Sequence, residues 1–318
     1  MLNQRALAYL NEVIRRGSLR RAASYLDVDA SALSRQIKAL EETLGITLCE
    51  RHGSGMHATQ AGKLLVEHYH AQRAADEAVL SRLMALQELR RGEVRIAVGE
   101  GFIADLVSAP LQSFLTAFSG IELEVRMAGV NEAISLVKDM EVDIALLYAP
   151  PVDPLLHCHV ETLQPLDLIV PAGHPLLAKG RPLTLHDLTE WPLGLMDNCF
   201  GMRQMVSLVE QQERVHLHAR LRTNSVAVLK NFVRSGIGVT FMPELTVMEE
   251  VRRGEIRVLP MNYPALSGAR AQIVSRSGRE LTVASQACIT HLRRGLRFFN
   301  ADAPRLLNAS VALKTTQP

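Results

Sequence analysis

Nothing in this chain of 318 residues approaches the roughly 20 consecutive apolar residues that span a bilayer, so membrane insertion is excluded. The leading residues, Met1-Leu2-Asn3-Gln4-Arg5, open an amphipathic stretch interrupted by Glu12, Arg15 and Arg16. They lack the apolar centre of a secretory signal, and the expected location is cytoplasmic. Cysteine is scarce and dispersed, with Cys49, Cys158, Cys199 and Cys288 forming no C-x-x-C pair. That spacing argues against a disulfide scaffold or a zinc ribbon and for reduced, mostly buried thiols. No second cysteine lies near Cys199, so a local disulfide switch is not expected. Also missing are G-x-S-x-G, H-E-x-x-H and Walker sequences, and no serine, histidine and acid are grouped as a nucleophile requires. Catalysis is unsupported and no cofactor is implied. The net charge is only +2, too small to announce a nucleic-acid partner, because a binding surface is a local patch that the total averages away.

Distribution carries more information. Residues 1–63 hold nine Lys and Arg against six Asp and Glu, which concentrates the positive excess at one end. There Ala6, Tyr9, Leu10 and Val13 recur at helical spacing until Gly17. Ser18 is placed to cap a short second helix, SLRRAASYL, in which Ala22 and Ala23 permit a close crossing. Asp27, Val28 and Asp29 form a tight turn, and Asp29 is placed to cap a third helix ending at Gly45. Two short helices joined by such a turn make a helix-turn-helix. On the third helix Leu33, Ile37, Leu40 and Leu44 share a core face, while Ala30, Ser31, Ser34, Arg35 and Lys38 lie opposite. Small and hydrogen-bonding residues near its N-terminal end suit entry into a major groove, with Arg35 reaching a guanine edge or a phosphate. ITLCERHGSGMHATQAG then reads as two strands around a Gly-Ser-Gly tip, a wing presenting Arg51, His52 and His57 to the backbone or minor groove. Ser18 completes the DNA-facing set. A three-helix bundle with a solvated face has the same spacing.

Between Gly62 and Gly92 there is neither glycine nor proline, and Lys63 to Arg91 is rich in helix formers, which predicts one continuous helix. Leu65, Tyr69, Gln72, Val79, Leu83 and Leu86 fall at spacings of three, four and seven, an interrupted coiled-coil stripe with Gln72 and Asp76 as polar breaks. Packing of this helix on its own chain is the alternative to pairing. From Glu93 onward the strands VRIAV, LEVRM, DIALL, LDLIV, LGLM, GVTFM and AQIVS alternate with helical segments, which indicates α/β architecture with mostly parallel sheets.

The segment RAASYLDVDASALSRQIKALEETLGITLCERHGSGMHATQAG closely resembles the N-terminal domain of LysR-type transcriptional regulators, through its A-A-x-x-L-x-V-x-x-S-A-L-S-R-Q-I core, its L-E-x-x-L-G turn and its E-R wing. Asp29 stands where that family usually has Ser, and Cys49 where it usually has Phe, leaving less volume under the wing. The resemblance implies an α+β multidomain chain. Residues 1–62 form the winged helix-turn-helix and 63–91 a dimerising linker helix. Residues 92–300 form a two-lobed, periplasmic-binding-protein-like (type II) effector domain, with lobe I near 92–161 and 267–300, lobe II near 162–266, and a tail at 301–318. SGIGVTFMP, residues 235 to 243, fits the same pattern. Lobe crossings are expected near Glu161 to Leu166 and Leu266 to Arg270. The implied partners are double-stranded promoter DNA, a small-molecule effector, a second copy in a homodimer or homotetramer, and RNA polymerase, with no membrane and no enzyme activity.

Ligands in open α/β lobes sit at the carboxyl ends of strands, where helix N-termini point into the crevice. The candidates there are Gly99, Glu100 and Gly101; Val130 and Asn131; Tyr148; Phe200; Thr223, Asn224 and Ser225; and Phe241 and Met242. Many relatives place Ser or Thr at the first of these turns, where it helps to hold an anionic effector. Glu100 stands there instead and would repel an acid, which suggests an effector that carries an amine or is neutral; pointing to solvent is its alternative role. VRIAVGEGFIA superficially matches a dinucleotide fingerprint but lacks a clear acidic strand end about twenty residues on. His157 and His159, like His216 and His218, share a strand face, but with no third ligand at motif spacing no metal is expected.

Overall fold

The computed structural model describes residues 2–53, 55–86 and 92–300, and the chain divides into two compact units between Leu80 and Ser81. In the first unit α1 (Gln4–Arg16), α2 (Leu19–Leu26) and α3 (Ala30–Leu44) each begin on a capping side chain. Asn3 accepts from the amides of Arg5 and Ala6, Ser18 from that of Arg21, and Asp29 from that of Ser31. These bonds satisfy amides that the helices themselves leave open. Asp27 closes the turn between α2 and α3 in the left-handed region, at φ 51°. The three helices enclose Leu7, Leu10, Val13, Ala22, Leu33 and Ile37. Leu44, expected in this core, is 40% exposed because the last turn of α3 overhangs it. The wing strands β1 (Cys49–His52) and β2 (Gly55–Ala58) pair antiparallel with Glu50 opposite His57. The Met56 amide donates to the Gly17 carbonyl at 2.9 Å, fastening the wing to the end of α1.

Helix α4 (Gln60–Leu86) starts earlier than expected and contains Gly62. Thr59 explains the start, since its hydroxyl accepts the Gly62 amide at 3.1 Å and its carbonyl the Lys63 amide at 2.9 Å. Gly62 is required by a close approach, for a Cβ there would lie 2.0 Å from the Leu48 carbonyl oxygen. The first half of the expected coiled-coil stripe is used within the unit. Leu65 and Tyr69 pack against the three-helix core, and Gln72, read as a polar break, accepts from Gln4 at 2.5 Å. Val79, Leu80 and Leu83 are half exposed. The Leu86 side chain, residues 87–91, Ser54 of the wing tip and the 301–318 tail lie outside the described residues.

The second unit runs β3 (Gly92–Val98), α5 (Glu100–Ser108), α6 (Pro110–Ala117), β4 (Ile121–Met127), α7 (Val130–Lys138), β5 (Ile144–Tyr148) and β6 (Leu156–Leu163). It continues through β7 (Leu166–Pro171), β8 (Leu193–Met196), α8 (Gly201–Glu213), β9 (Ala219–Thr223), α9 (Val226–Arg234), β10 (Thr240–Pro243), α10 (Met248–Arg252), β11 (Ile256–Leu259) and α11 (Pro264–Ser267). It closes with β12 (Arg270–Arg276) and α12 (Val283–Gly295). Lobe I is built on the sheet β4-β3-β5-β12-β6, and lobe II on β10-β7-β11 and β8-β9. The lobes have separate apolar cores, one around Phe102, Phe114 and Phe298, the other around Leu168, Leu229 and Phe241. Among the described residues of this unit only the β3–β4, β3–β5 and β8–β9 ladders are parallel; β12 with β5 and β6, and β7 with β10 and β11, are antiparallel. The mostly parallel reading is thereby corrected: β12 returns from lobe II and enters the lobe I sheet against its direction.

The two crossings, Gln164–Pro165 and Gly268–Ala269, lie side by side, with the Gln164 amide donating to the Ala269 carbonyl at 2.8 Å. The cysteine expectation is half corrected. Cys288 is buried and Cys49 partly so, whereas Cys158 and Cys199 are exposed. Burial pushes the Cys49 and Cys288 thiols up to about 11 and about 12. Gly62→Ala forces a methyl against the Leu48 carbonyl and is expected to destabilise the first unit by about 1 to 3 kcal/mol. A urea titration in which that unit's transition does not move would refute the close-approach argument.

Candidate functional site

Helix α3 presents Ser31, Ser34, Arg35 and Lys38 on its exposed side, with Ala30 half-buried at its start. Leu33, Ile37 and Leu40 are buried on the other side, so each outward residue sits on a rigid helix whose rotation the core fixes. Hydrogen bonds from the Ser31 hydroxyl and amide hold the Asp29 carboxyl below its usual range, and the cap stays ionised. Asp thus serves as the cap where the resembled family has Ser. Ser18, half-buried, caps α2. On the wing, Arg51, His52 and His57 are exposed, and the two histidine rings lie 5.6 Å apart. The wing is held by a residue that its sequence role did not reveal: Glu41 of α3 accepts the amides of Leu48 at 2.7 Å and Cys49 at 3.3 Å. One carboxylate therefore couples the outward-facing helix to the strand that starts the wing.

Between the lobes lies a small cavity with a volume of about 30 Å³. Of the expected lining, Gly99, Glu100, Gly101, Val130, Tyr148 and Phe200 surround it. Asn131 is exposed and joins the lobes through the Gln204 amide at 3.3 Å. Thr223 accepts the Ser225 amide on its hydroxyl at 3.1 Å, and Asn224 is exposed. Phe241 and Met242 are corrected: they lie within β10, not after it, and are buried in the lobe II core at 2% and 0% exposure. The strand's last residue, Pro243, reaches the cavity instead. Phe102, Met202, Thr246 and Phe298 also line it and were not read from sequence. Phe298 follows α12 almost two hundred residues after Phe102, yet the rings meet 4.7 Å apart.

Glu100 is half-buried and does not stand unpaired. Its carboxylate accepts the Ser225 hydroxyl at 3.0 Å and, closer still, the Val226 amide, which places a lobe I acid on the N-terminus of a lobe II helix. A second contact joins the lobes where the Val130 amide of α7 donates to the Cys199 carbonyl at 2.9 Å. Gly201 starts α8 against the Tyr148 carbonyl, where a Cβ would lie 1.9 Å from the oxygen. The lobes are therefore in direct polar contact at the starts of both α7 and α9. Burial pushes the Tyr148 phenol well above its usual range, and it stays a neutral donor to the Gln164 carbonyl at 2.8 Å, beside the first crossing. The paired histidines do meet, with His157 and His159 4.6 Å apart and His216 and His218 4.8 Å apart. No group of three or more metal-ligating side chains forms among the described residues. No described helix is long and apolar enough to cross a membrane.

A winged helix with an outward polar face, carried on one chain with a two-lobed α/β domain whose helix N-termini meet in a cleft, defines the class of ligand-responsive DNA-binding regulators. Residues 4–63 match the bacterial regulatory helix-turn-helix protein model of the lysR family, and residues 87–297 match the LysR substrate binding domain. The chain belongs to the LysR family and is a DNA-binding transcriptional regulator with an effector-binding domain. It is 28% identical to the transcriptional dual regulator GltC of Bacillus subtilis, over 87% of this chain and 92% of that one. It is 29% identical to the HTH-type transcriptional regulator CbbR of Rhizobium meliloti, over 89% and 90%. Among solved structures, full-length OxyR C199D from Pseudomonas aeruginosa superposes with a TM-score of 0.66 at 18% identity, covering 96% of this chain and 99% of that one. The regulatory domain of Synechocystis CcmR in complex with 2-PG gives 0.56 at 20% identity, covering 65% and 98%. At these identities the structural matches speak for the fold alone.

Replacing Glu41 with Ala leaves the Leu48 amide without its acceptor, and an unmet buried donor costs about 1 to 3 kcal/mol. The expected result is a less stable first unit with faster amide exchange at Leu48 and Cys49, and Glu41→Gln, which keeps an acceptor oxygen, is expected to lose less. Equal exchange at both amides in Glu41→Ala and the unaltered protein would remove Glu41 from this role.

Proposed function

We propose that this regulator binds promoter DNA in the cytoplasm as a homodimer or homotetramer, and that a small-molecule effector held between the lobes adjusts that binding or the contact with RNA polymerase. The observation that carries the reading is the exposed row Ser31, Ser34, Arg35 and Lys38, backed by the buried Leu33, Ile37 and Leu40. A rigid helix with small polar residues at its leading end fits a major groove, and Arg35 supplies the donor fork that reads guanine. Arg51, His52 and His57 on the wing, with Ser18 at the start of α2, meet the flanking backbone. The half-exposed Val79, Leu80 and Leu83 on α4 favour pairing of two chains along that helix, since a long helix with an apolar stripe needs a partner. Two copies of α3 then address two half-sites.

Effector binding selects one setting of the lobes, alters how the chains pack and so changes the spacing or bend between half-sites. The comparisons and the chemistry favour binding over catalysis: the relatives are regulators, and the cleft brings together helix ends and apolar side chains. Duplex retention is expected to fall steeply with salt, as counterion release requires, and to vanish when residues 1–62 are deleted. For Arg35→Ala a loss of about 1 to 3 kcal/mol in operator affinity is expected, with relaxed preference at one base pair. Lys38→Ala is expected to weaken binding evenly across sequences and to reduce the salt slope by about 1. Retention that survives the deletion, or turnover of a small molecule without DNA, would overturn the proposal.

A further inference from the structure

Glu100 is the first residue of α5 in lobe I, and its carboxylate is spent on lobe II. One oxygen accepts the Ser225 hydroxyl at 3.0 Å and the other the Val226 amide. Val226 opens α9, a nine-residue helix. Its first amide has no acceptor within the helix and lies at the positive end of the helix dipole. These are the donors with which a cleft of this kind grips an acid. In this chain the acid is built in.

We infer that Glu100 is the specificity-determining residue of the cleft: it acts as an internal anion that occupies the α9 N-terminus, latches the lobes together and shuts out effectors carrying an acid group. The inference rests on the effector-cleft reading above and narrows it to an uncharged or cationic ligand. Three observations support it together. A carboxylate tethered in the same chain competes at an effective concentration on the order of millimolar or more, so a free acid must displace it and also approach it against like charge. The space left behind the latch is about 30 Å³ and its walls are mainly apolar, with Phe102, Val130, Met202 and Phe298 among them. Thr246, 7% exposed, lines this space, and its buried hydroxyl oxygen has no hydrogen-bond partner among the described residues. A Cβ on Gly101 would come within 4.0 Å of that oxygen. An unmet buried hydroxyl opposite a bare glycine is a fitting contact for a hydroxyl, amide or amine on a compact ligand.

The latch also predicts how the cleft opens. Separating the lobes breaks the Glu100 bonds to Ser225 and Val226, the Val130–Cys199 bond and the Asn131–Gln204 bond, and widens the cleft for a ligand. Glu100→Ser removes the internal anion and leaves the α9 donors open.

Two measurements on the full chain test this. Hydrogen exchange of the peptide spanning residues 224–230 reads the latch with no ligand present: the Val226 amide is expected to exchange at least about tenfold faster in Glu100→Ser than in the unaltered protein, while α12 keeps its protection, and Glu100→Gln is expected to fall between them. Thermal shift with sodium acetate and sodium succinate, against sodium chloride at matched ionic strength, reads the selectivity. The unaltered protein is expected to show no shift beyond chloride, and Glu100→Ser to bind the carboxylates at least about tenfold more tightly. Unchanged Val226 exchange overturns the latch, and equal carboxylate affinity in both proteins overturns the selection. Neither readout involves DNA, so a failure here leaves the regulator reading standing, whereas loss of that reading would show in duplex retention.

Discussion

The first amides of an α-helix have no acceptor within the helix, and something else must supply one. The DNA-facing unit meets this constraint locally, as α9 and α12 of the sensor do in part through Ser225 and Thr282, whereas other sensor helices do not. Asn3, Ser18 and Asp29 cap α1, α2 and α3 from the residue just before each helix, so that unit is satisfied locally. In the sensor, α5, α7 and α8 begin on Gly99, Gly129 and Phe200, none of which gives a side-chain cap. The leading amide of α7 borrows the Cys199 carbonyl from the other lobe, and that of α9 borrows the Glu100 carboxylate. A rigid reader needs helices that hold their shape whatever surrounds them. A sensor needs helices whose satisfaction depends on where the lobes stand.

That difference governs what the sequence disclosed. Caps, turns and helical spacing are local, and the winged helix was read nearly to its ends: Asp29 as a cap, the turn at Asp27 and the buried Leu33, Ile37 and Leu40 all lie within a few residues of their partners. The failures there come from tertiary neighbours. Leu44 has the right spacing but no core beneath it, and Gln72 looks like a break in a stripe until Gln4 is seen beside it. Helix α4 begins before Gly62 because Thr59 accepts the Gly62 and Lys63 amides, and residue 62 is glycine because the Leu48 carbonyl leaves no room for a side chain, facts that no helix propensity contains.

The cleft was legible at the carboxyl ends of strands, Tyr148 at the end of β5 among them. Gly99, Glu100, Gly101, Val130 and Phe200 stand at strand-to-helix turns and were found. Thr246 and Phe298 come from short 3₁₀ segments with no periodic signal, and they reach the cavity through long-range packing. Phe241 and Met242 were misplaced by the shortness of β10, whose burial on all four residues resembles the apolar run that precedes a ligand-facing turn. Glu100 lines the cavity, but its partner lies 125 residues away. A charge seen alone in sequence suggests repulsion of a ligand. In the fold it is already answered by a helix.

The energies involved fit a switch. A hydrogen bond to a charged acceptor contributes about 1.5 to 3 kcal/mol net and a neutral one about 0.5 to 1.5. Coupling between an effector and a distant binding site is typically about 1 to 3 kcal/mol. Exchanging the Glu100 bonds for ligand contacts therefore changes the lobe equilibrium by the amount that such coupling requires, with no need for a larger rearrangement. The adjacent crossings at Gln164–Pro165 and Gly268–Ala269 form a short double hinge, and the separate apolar core of each lobe keeps it rigid on either side of that hinge. Movement started at the cleft has no soft interior in which to dissipate and must appear as rotation of one lobe against the other.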